Sequence, residues 1–436
     1  MNLKTTLLAG LLCLAGIAHA IEKPVIKIET GNTSLIYRVG DNGRLYQSYL
    51  GKRLNHEADI NHLPQGTEAY LTHGMEDYFE PALHIVHNDG NPSTLLKYVS
   101  HDSRNLSDGV NETVITLADD QYPVTVKLHY VAYANEDIIK TFTEISHREK
   151  KPVMLHKYAS SLLYLNHDKY FLTEFAGDWS HEANVMEREL AFGKKVIDTK
   201  LGARANMFVS PFFQLAIDQP SEENAGEVLV GTLGWTGNFN FTFEVDNKNQ
   251  LRIISGINPY ASEYSLPSGE IFRTPDFYFT YSMNGKGQAS RNFHDWARRY
   301  QVKDGDQTRM TLLNNWEATY FDFDTDKLIA IAKQASALGI EMLVMDDGWF
   351  GNRCDDNRAL GDWFVNEEKL KGGLKYLVDE VNKLGMKFGI WFEPEMISPD
   401  SNLYRAHPDW AIAIPGRVAT ESRQQYVLCL LYTSDA

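Results

Sequence analysis

In the stretch VMDDGWFG, Val344 to Gly351, two adjacent carboxylates follow directly on a short apolar run. Like charges in contact resist joint ionisation unless cations, donors or water surround them, so Asp346 and Asp347 require partners. Related side chains recur nearby. Asn314, Asn315, Trp316 and Glu317 follow one apolar run, Trp349 stands just beyond the Asp pair, Trp391, Glu393 and Glu395 follow another run, and Arg423 precedes a further one. Indole faces beside a ring of carboxylate acceptors suit a molecule with an apolar C–H face and several hydroxyls, which describes a sugar. Cleaving a sugar's glycosidic bond takes two carboxylates, and Asp346, Asp347, Glu393 and Glu395 are the candidates for a retaining pair. Adjacent Asp346 and Asp347 cannot readily reach opposite faces of one bond. Other roles stay open at this point: Trp316 and Trp391 as core aromatics, the Asp pair as a loop cap or cation ligand, and Glu393-Pro394-Glu395 as a turn. The segment RCDDNRALGD (Arg353–Asp362) is acidic enough for calcium but lacks the alternation of an EF-hand loop. The fourteen histidines show no metal-ligand spacing, so neither metal nor cofactor is expected.

Elements that place these residues at strand ends are legible around them. MTLLNNW, IEMLVM, MKFGIWF and QQYVL read as four strands. Between the first two, TDKLIAIAKQASALG sets Leu328, Ile331, Ala332, Ala335 and Leu338 at helical spacing, with Thr325 as N-cap and Gly339 as terminator. GGLKYLVDEVNKLG repeats the pattern with Leu374, Leu377, Val378, Val381 and Leu384. Apolar strands alternating with amphipathic helices predict a parallel sheet buried on both faces, and no Gly-rich phosphate loop follows the first strand. A (β/α)8 barrel and a doubly wound sheet both fit. In a barrel, chemistry sits at the C-terminal strand ends.

Upstream the period is two. VTVKLHYVAY (Val124–Tyr133) alternates, DIIKTFTEIS and FNFTFEVDNKNQLRIIS are β-branched and aromatic, and GDNG, DNKNQ and NDGNP carry turn chemistry. A large antiparallel β-sandwich over residues 21–301 is predicted, closed by a helix at Ala289–Gln301 and linked through Lys303–Arg309 to an α/β part over residues 302–436. The chain's 42 Lys and Arg against 58 Asp and Glu give −16, which argues against nucleic acid and anionic membrane surfaces as partners. Residues 1–20, with Lys4, an apolar run and Ala18-His19-Ala20, read as a signal peptide, so export to the periplasm or medium is expected. Beyond it only Cys354 and Cys429 remain, which is no disulfide framework.

The stretches NNWEATYFDFDTDKL, LGIEMLVMDDGWFGNR, LGDWFVNEEKL, GLKYLVDEVNKLGMKFGIWFEPEMISPDSNLYRAHPDW and RQQYVL resemble the α-galactosidases of glycoside hydrolase family 36. GDW at Gly177–Trp179, GINPY at Gly256–Tyr260 and FRTPDF at Phe272–Phe277 extend the resemblance more thinly upstream. The resemblance implies a large N-terminal β-sandwich before a (β/α)8 barrel, and retaining, double-displacement hydrolysis of terminal α-D-galactose from melibiose or raffinose-type oligosaccharides. It implies that Asp346 and Asp347 bind galactose hydroxyls, including the axial O4 and O6. Trp316 and Trp391 then resemble the pocket walls, Arg423 resembles an arginine beside the sugar and is the expected cation that lets both Asp carboxylates stay ionised, and Glu393 and Glu395 become supporting residues.

The resemblance stops at RQQYVL. The family continues with an Asp, a helix and a strand ending in Lys-Trp-Asp, whose Asp is the nucleophile; the acid/base Asp comes later. Here Cys429 stands where the first Asp is expected, and CLLYTSDA ends the sequence. About 130 residues follow the linker, against about 250 for a complete barrel. A C-terminally truncated chain is therefore expected, with residues 429–436 foreign, both catalytic carboxylates absent and no turnover. Strand residues around Leu343 and Ile390 are expected to be partly exposed in such a half barrel. An α-N-acetylgalactosaminidase of the same family and a non-catalytic galactoside-binding protein are the alternatives. The oligomeric state of the parent, a homo-oligomer included, is left open.

Overall fold

The computed structural model describes residues 23–75, 78–202 and 207–429. Residues 1–20, read above as a signal peptide, and all of the tail except Cys429 lie outside the described residues. The chain divides into two compact units between Asp306 and Gln307.

The first unit is built of antiparallel strands. A ten-stranded sheet runs from His181–Glu189 at one edge, through Tyr170–Asp178, Val209–Ile217, Glu227–Gly234 and Asp276–Ser282, to Leu96–Ser107 at the other. A six-stranded sheet has Gly193–Asp198, Phe239–Val245, Gln250–Ile257 and Val153–Asn166 as successive neighbours. Phenylalanines join the two: Phe213 of the larger sheet lies 5.2 Å from Phe241 and 4.9 Å from Phe243 of the smaller, ring edge to ring face. All three are fully buried, and such pairs add stability beyond the area they bury. Val124–Tyr133 is a strand over the predicted range, burying Val124, Val126, Leu128 and Tyr130 while Lys127 faces water. Its last residues break the alternation. Val131 and Tyr133 are buried on the outer face because Trp296 packs there. The covering helix spans Gly285–Trp296 and widens into a π-helical turn at Ala297–Gln301, starting four residues before the predicted Ala289.

The second unit contains three parallel strands, Leu312–Asn314, Met342–Met345 and Lys387–Ile390, with Leu313, Leu343 and Phe388 in register. Helices Thr325–Ala337 and Gly373–Lys383 lie between them in sequence. Leu328, Ala332, Ala335, Leu377 and Val381 turn their apolar stripes onto the core that holds Leu343 and Met345. Three expectations need correction. The cap of the first helix is Asp324, whose carboxylate accepts from the Lys327 N–H at 2.8 Å; Thr325 instead donates to the Lys371 carbonyl. Leu338 is the C-terminal flank of that helix and 83% exposed, because Gly339, at φ +84°, has already turned the chain. Leu343 is fully buried, and Ile390 is partly so, since the two helices already cover that part of the sheet.

A fourth parallel strand does not form at QQYVL. Gln425–Val427 pairs antiparallel with both Met396–Ile397 and Glu421–Ser422. A reversal at Arg423, with φ +57°, folds the segment back on itself. Buried Met396 and Ile397 take Val427 and Tyr426 as partners, so the local hairpin satisfies backbone groups that a long crossover would otherwise pair. No closed barrel exists among the described residues.

Candidate active site

The carboxyl ends of the three parallel strands bring Asn314, Asp346 and Trp391 close together. Asn314 Nδ2 donates to Asp346 Oδ2 at 2.5 Å, and Asn315 Oδ1 accepts from the Asp346 N–H at 2.8 Å. The Trp391 N–H donates to the Met345 carbonyl, and Trp349 Nε1 donates to the Trp391 carbonyl. Asp346 is half-buried; its Oδ1 accepts from the next N–H in the chain, so it also acts as the turn cap considered above. Gly348 completes that turn at φ +101°. A Cβ there would lie 2.9 Å from the Phe321 ring, so only glycine suits the position.

Asp347 is only 5% exposed and is held by a cation that sequence reasoning missed. Arg353 donates from Nε to both carboxylate oxygens, at 3.0 and 3.2 Å, and from Nη2 to Oδ2 at 2.8 Å. Its Nη1 donates to the Arg358 carbonyl. Burial raises the Asp347 carboxyl above the usual range even though Arg353 pulls it down; Asp346 and Asp356 push it further up. Desolvation together with the neighbouring carboxylates therefore outweighs the ion pair. The cation on the pair is thus Arg353, not Arg423. Arg423 lies exposed in the hairpin turn, its Nη2 3.9 Å from Asp356 Oδ1, which Arg353 Nη2 also approaches at 3.8 Å. A second overlooked cation, Lys369, donates to the Gly348 carbonyl at 2.8 Å and lies 4.0 Å over the Phe323 ring. In the sequence Arg353 lies between Asn352 and Cys354 and Lys369 between Glu368 and Leu370, and nothing in that local pattern marks either as a partner of the Asp pair.

The aromatic residues divide by role. Trp349 is buried among Phe350, Trp363 and Phe392 and belongs to the scaffold. Trp391 is partly exposed, stacked 6.4 Å from Phe350. Trp316 opens a short helix, partly exposed, with Phe321 edge-on at 5.0 Å; Phe321 in turn lies 5.6 Å from the Arg353 guanidinium. Glu393 is half-buried. Burial raises its carboxyl, Glu395 adds to this, and Arg423 opposes it. Asp347 and Arg353 also influence it, so Glu393 shares one electrostatic neighbourhood with the Asp pair. Glu395 is exposed. Both Asp346 oxygens and Asp347 Oδ1 accept one of these bonds each and keep a lone pair for an incoming hydroxyl, whereas Asp347 Oδ2 already accepts two; two partly exposed indoles supply apolar faces.

A β-sandwich unit thus precedes an α/β unit whose strand ends carry carboxylates and indoles, groups that suit a sugar. Residues 43–267 match the glycosyl hydrolase family 36 N-terminal domain, and residues 271–434 match the Melibiase family. The chain belongs to glycosyl hydrolase family 36. It is 36% identical over 377 residues to alpha-galactosidase AgaA of Geobacillus stearothermophilus, covering 83% of this chain and 51% of the relative. It is 34% identical to alpha-galactosidase Mel36A of Lactobacillus acidophilus, covering 93% of this chain and 60% of the relative. The solved structure of AgaA superposes with a TM-score of 0.87 at 32% identity, over 93% of this chain and 61% of that one. The galactosidase domain of AgaSK superposes at 0.85 and 33% identity, over 93% of this chain and 61% of that one. An AgaA variant has been solved in complex with stachyose and another in complex with raffinose. This chain spans about half to three-fifths of the length of these relatives.

Proposed function

We propose that the protein to which this sequence belongs is an exported α-galactosidase acting on raffinose-type oligosaccharides, and that this chain supplies its galactose-binding half. The observation that carries the reading is the pairing of Asp346, presented by Asn314, with Asp347, clamped by Arg353, at strand ends that also carry Trp316 and Trp391. A galactose C–H face lies against an indole while its hydroxyls donate to the two carboxylates, which Arg353 and the Asn314 amide keep fixed in orientation. In this reading the three parallel strands are the opening of a (β/α)8 barrel, and Glu393, Glu395 and Arg423 line or support the site.

Hydrolysis runs by double displacement. A carboxylate attacks the anomeric carbon while a carboxylic acid protonates the leaving oxygen; water then attacks the glycosyl-enzyme with that residue acting as base. Both groups come from residues outside this sequence, and the chain of residues 1–436 by itself gives no turnover. Relatives named as alpha-galactosidases over both halves of the chain support the substrate class.

The test compares the full-length protein on nitrophenyl α-galactoside, α-N-acetylgalactosaminide and α-glucoside, with EDTA present and absent. Preferential, EDTA-insensitive cleavage of the α-galactoside is expected. Preference for either other glycoside, or turnover by residues 1–436 alone, refutes the respective part of the reading. Export is tested by fractionating cells that express the gene; activity retained in the cytoplasm counts against it.

A further inference from the structure

We propose that one end of the β-sandwich binds a divalent metal ion of the zinc type through His167, Asp218 and Glu227. His167 lies far in sequence from Asp218 and Glu227 and the three form no motif, yet one ligating atom of each falls within 4.8 Å of the other two. They come from three strand ends. His167 directly follows Val153–Asn166 of the six-stranded sheet, whereas Asp218 follows Val209–Ile217 and Glu227 opens Glu227–Gly234, both of the ten-stranded sheet. An ion held there ties the two sheets together at their rim.

The surroundings orient both carboxylates for this. Asp218 Oδ1 accepts from the N–H groups of Asp168 at 3.0 Å and Lys169 at 3.3 Å, which leaves Oδ2 facing His167 Nδ1 at 3.1 Å. Glu227 Oε1 accepts from the Tyr281 hydroxyl, leaving Oε2 for an ion. Metal-binding carboxylates are oriented by outer hydrogen bonds in this way. A dication held among the three ligating atoms neutralises both carboxylates at once. Access is open, because His167 also lines a cleft of about 450 Å³ with Gln47, Tyr49, Tyr164 and Gln250.

One imidazole nitrogen and two carboxylate oxygens, with water as the fourth ligand, suit Zn²⁺; Ca²⁺ prefers six to eight oxygens. All three residues belong to the first unit, so the site stands independently of the galactoside reading.

The experiment strips the protein with EDTA, removes the chelator and titrates it with ZnCl₂, followed by calorimetry and thermal denaturation. One saturable equivalent and a raised melting temperature are expected, with no comparable shift from CaCl₂. His167→Gln and Glu227→Gln should each weaken binding at least about tenfold, and Tyr281→Phe, which touches only the outer hydrogen bond, about tenfold. His101→Gln, an exposed histidine bonded to Tyr98, should leave it unchanged. Binding that is not saturable, or that survives both His167→Gln and Glu227→Gln, overturns the proposal. Should those variants fail to fold, X-ray absorption on the wild-type protein decides. Nitrogen and oxygen ligands at about 2.0–2.2 Å are expected, and sulfur ligation by Cys354 or Cys429 overturns it.

Discussion

Removing the Arg353 side-chain charge tests whether a buried guanidinium organises the sugar site. In Arg353→Met, Asp347 loses all three of its guanidinium hydrogen bonds while remaining 5% exposed. Leaving one member of a buried pair without its partner costs about 3–5 kcal/mol. Asp347 limits that cost by taking up a proton. Its carboxyl is already raised by burial with Arg353 present, and loss of the cation raises it further. The sign follows directly. A carboxyl raised in the folded state binds its proton more tightly there than in the unfolded chain. Its contribution to stability is therefore complete below the ordinary carboxylate value and is lost as pH rises through the folded value. Arg353→Met should thus approach wild-type stability at acidic pH and fall increasingly below it towards neutrality. Asp347→Asn in the same chain should recover much of the loss, because a neutral amide needs no counter-charge. The assay is urea denaturation across that pH range, with tryptophan fluorescence reporting on Trp349 and Trp391, alongside calorimetric titration of galactose into the full-length protein. A pH-independent deficit below about 1 kcal/mol, well short of the cost of a broken buried pair, would refute the reasoning. So would a double variant no more stable than the single, or unchanged galactose affinity.

Three further outcomes follow from the same geometry. Asp346→Asn and Asp347→Asn in the full-length protein should each weaken galactose binding by about 1.5–3 kcal/mol for every charged hydrogen bond lost; wild-type kcat/KM in both would remove the pair from the site. Gly348→Ala should destabilise the second unit by about 1–3 kcal/mol, since it forces a Cβ against Phe321 in a left-handed conformation; an unchanged denaturation midpoint would contradict this. Glu393→Gln should flatten the fall in stability with rising pH, because burial and Glu395 raise its carboxyl. The gain at neutrality should stay below about 1 kcal/mol, because the half-exposed group is screened by solvent, and a loss of stability at pH 7 would show that the charged form is needed.

Residue periodicity alone determined the change from sandwich to α/β part. Alternation in VTVKLHYVAY and 3.6-residue spacing in TDKLIAIAKQASALG are local properties, and the strand Val124–Tyr133 and helix Thr325–Ala337 carry them directly. The same local logic put Asp346 and Asp347 at a strand end. Tertiary structure alone decided what those residues meet. QQYVL is apolar enough for a central strand, but its pairing depends on which free edge lies nearest, and that edge is Met396–Ile397. Leu338 fits the apolar stripe by spacing, yet spacing does not register that the helix has already ended. Arg353 lies six residues beyond Asp347, and only the fold of the intervening turn directs its guanidinium onto that carboxylate rather than into water. The choice between Arg353 and Arg423 as the cation for the Asp pair depended on burial and distance, which are properties of the assembled unit and have no signature in a linear sequence.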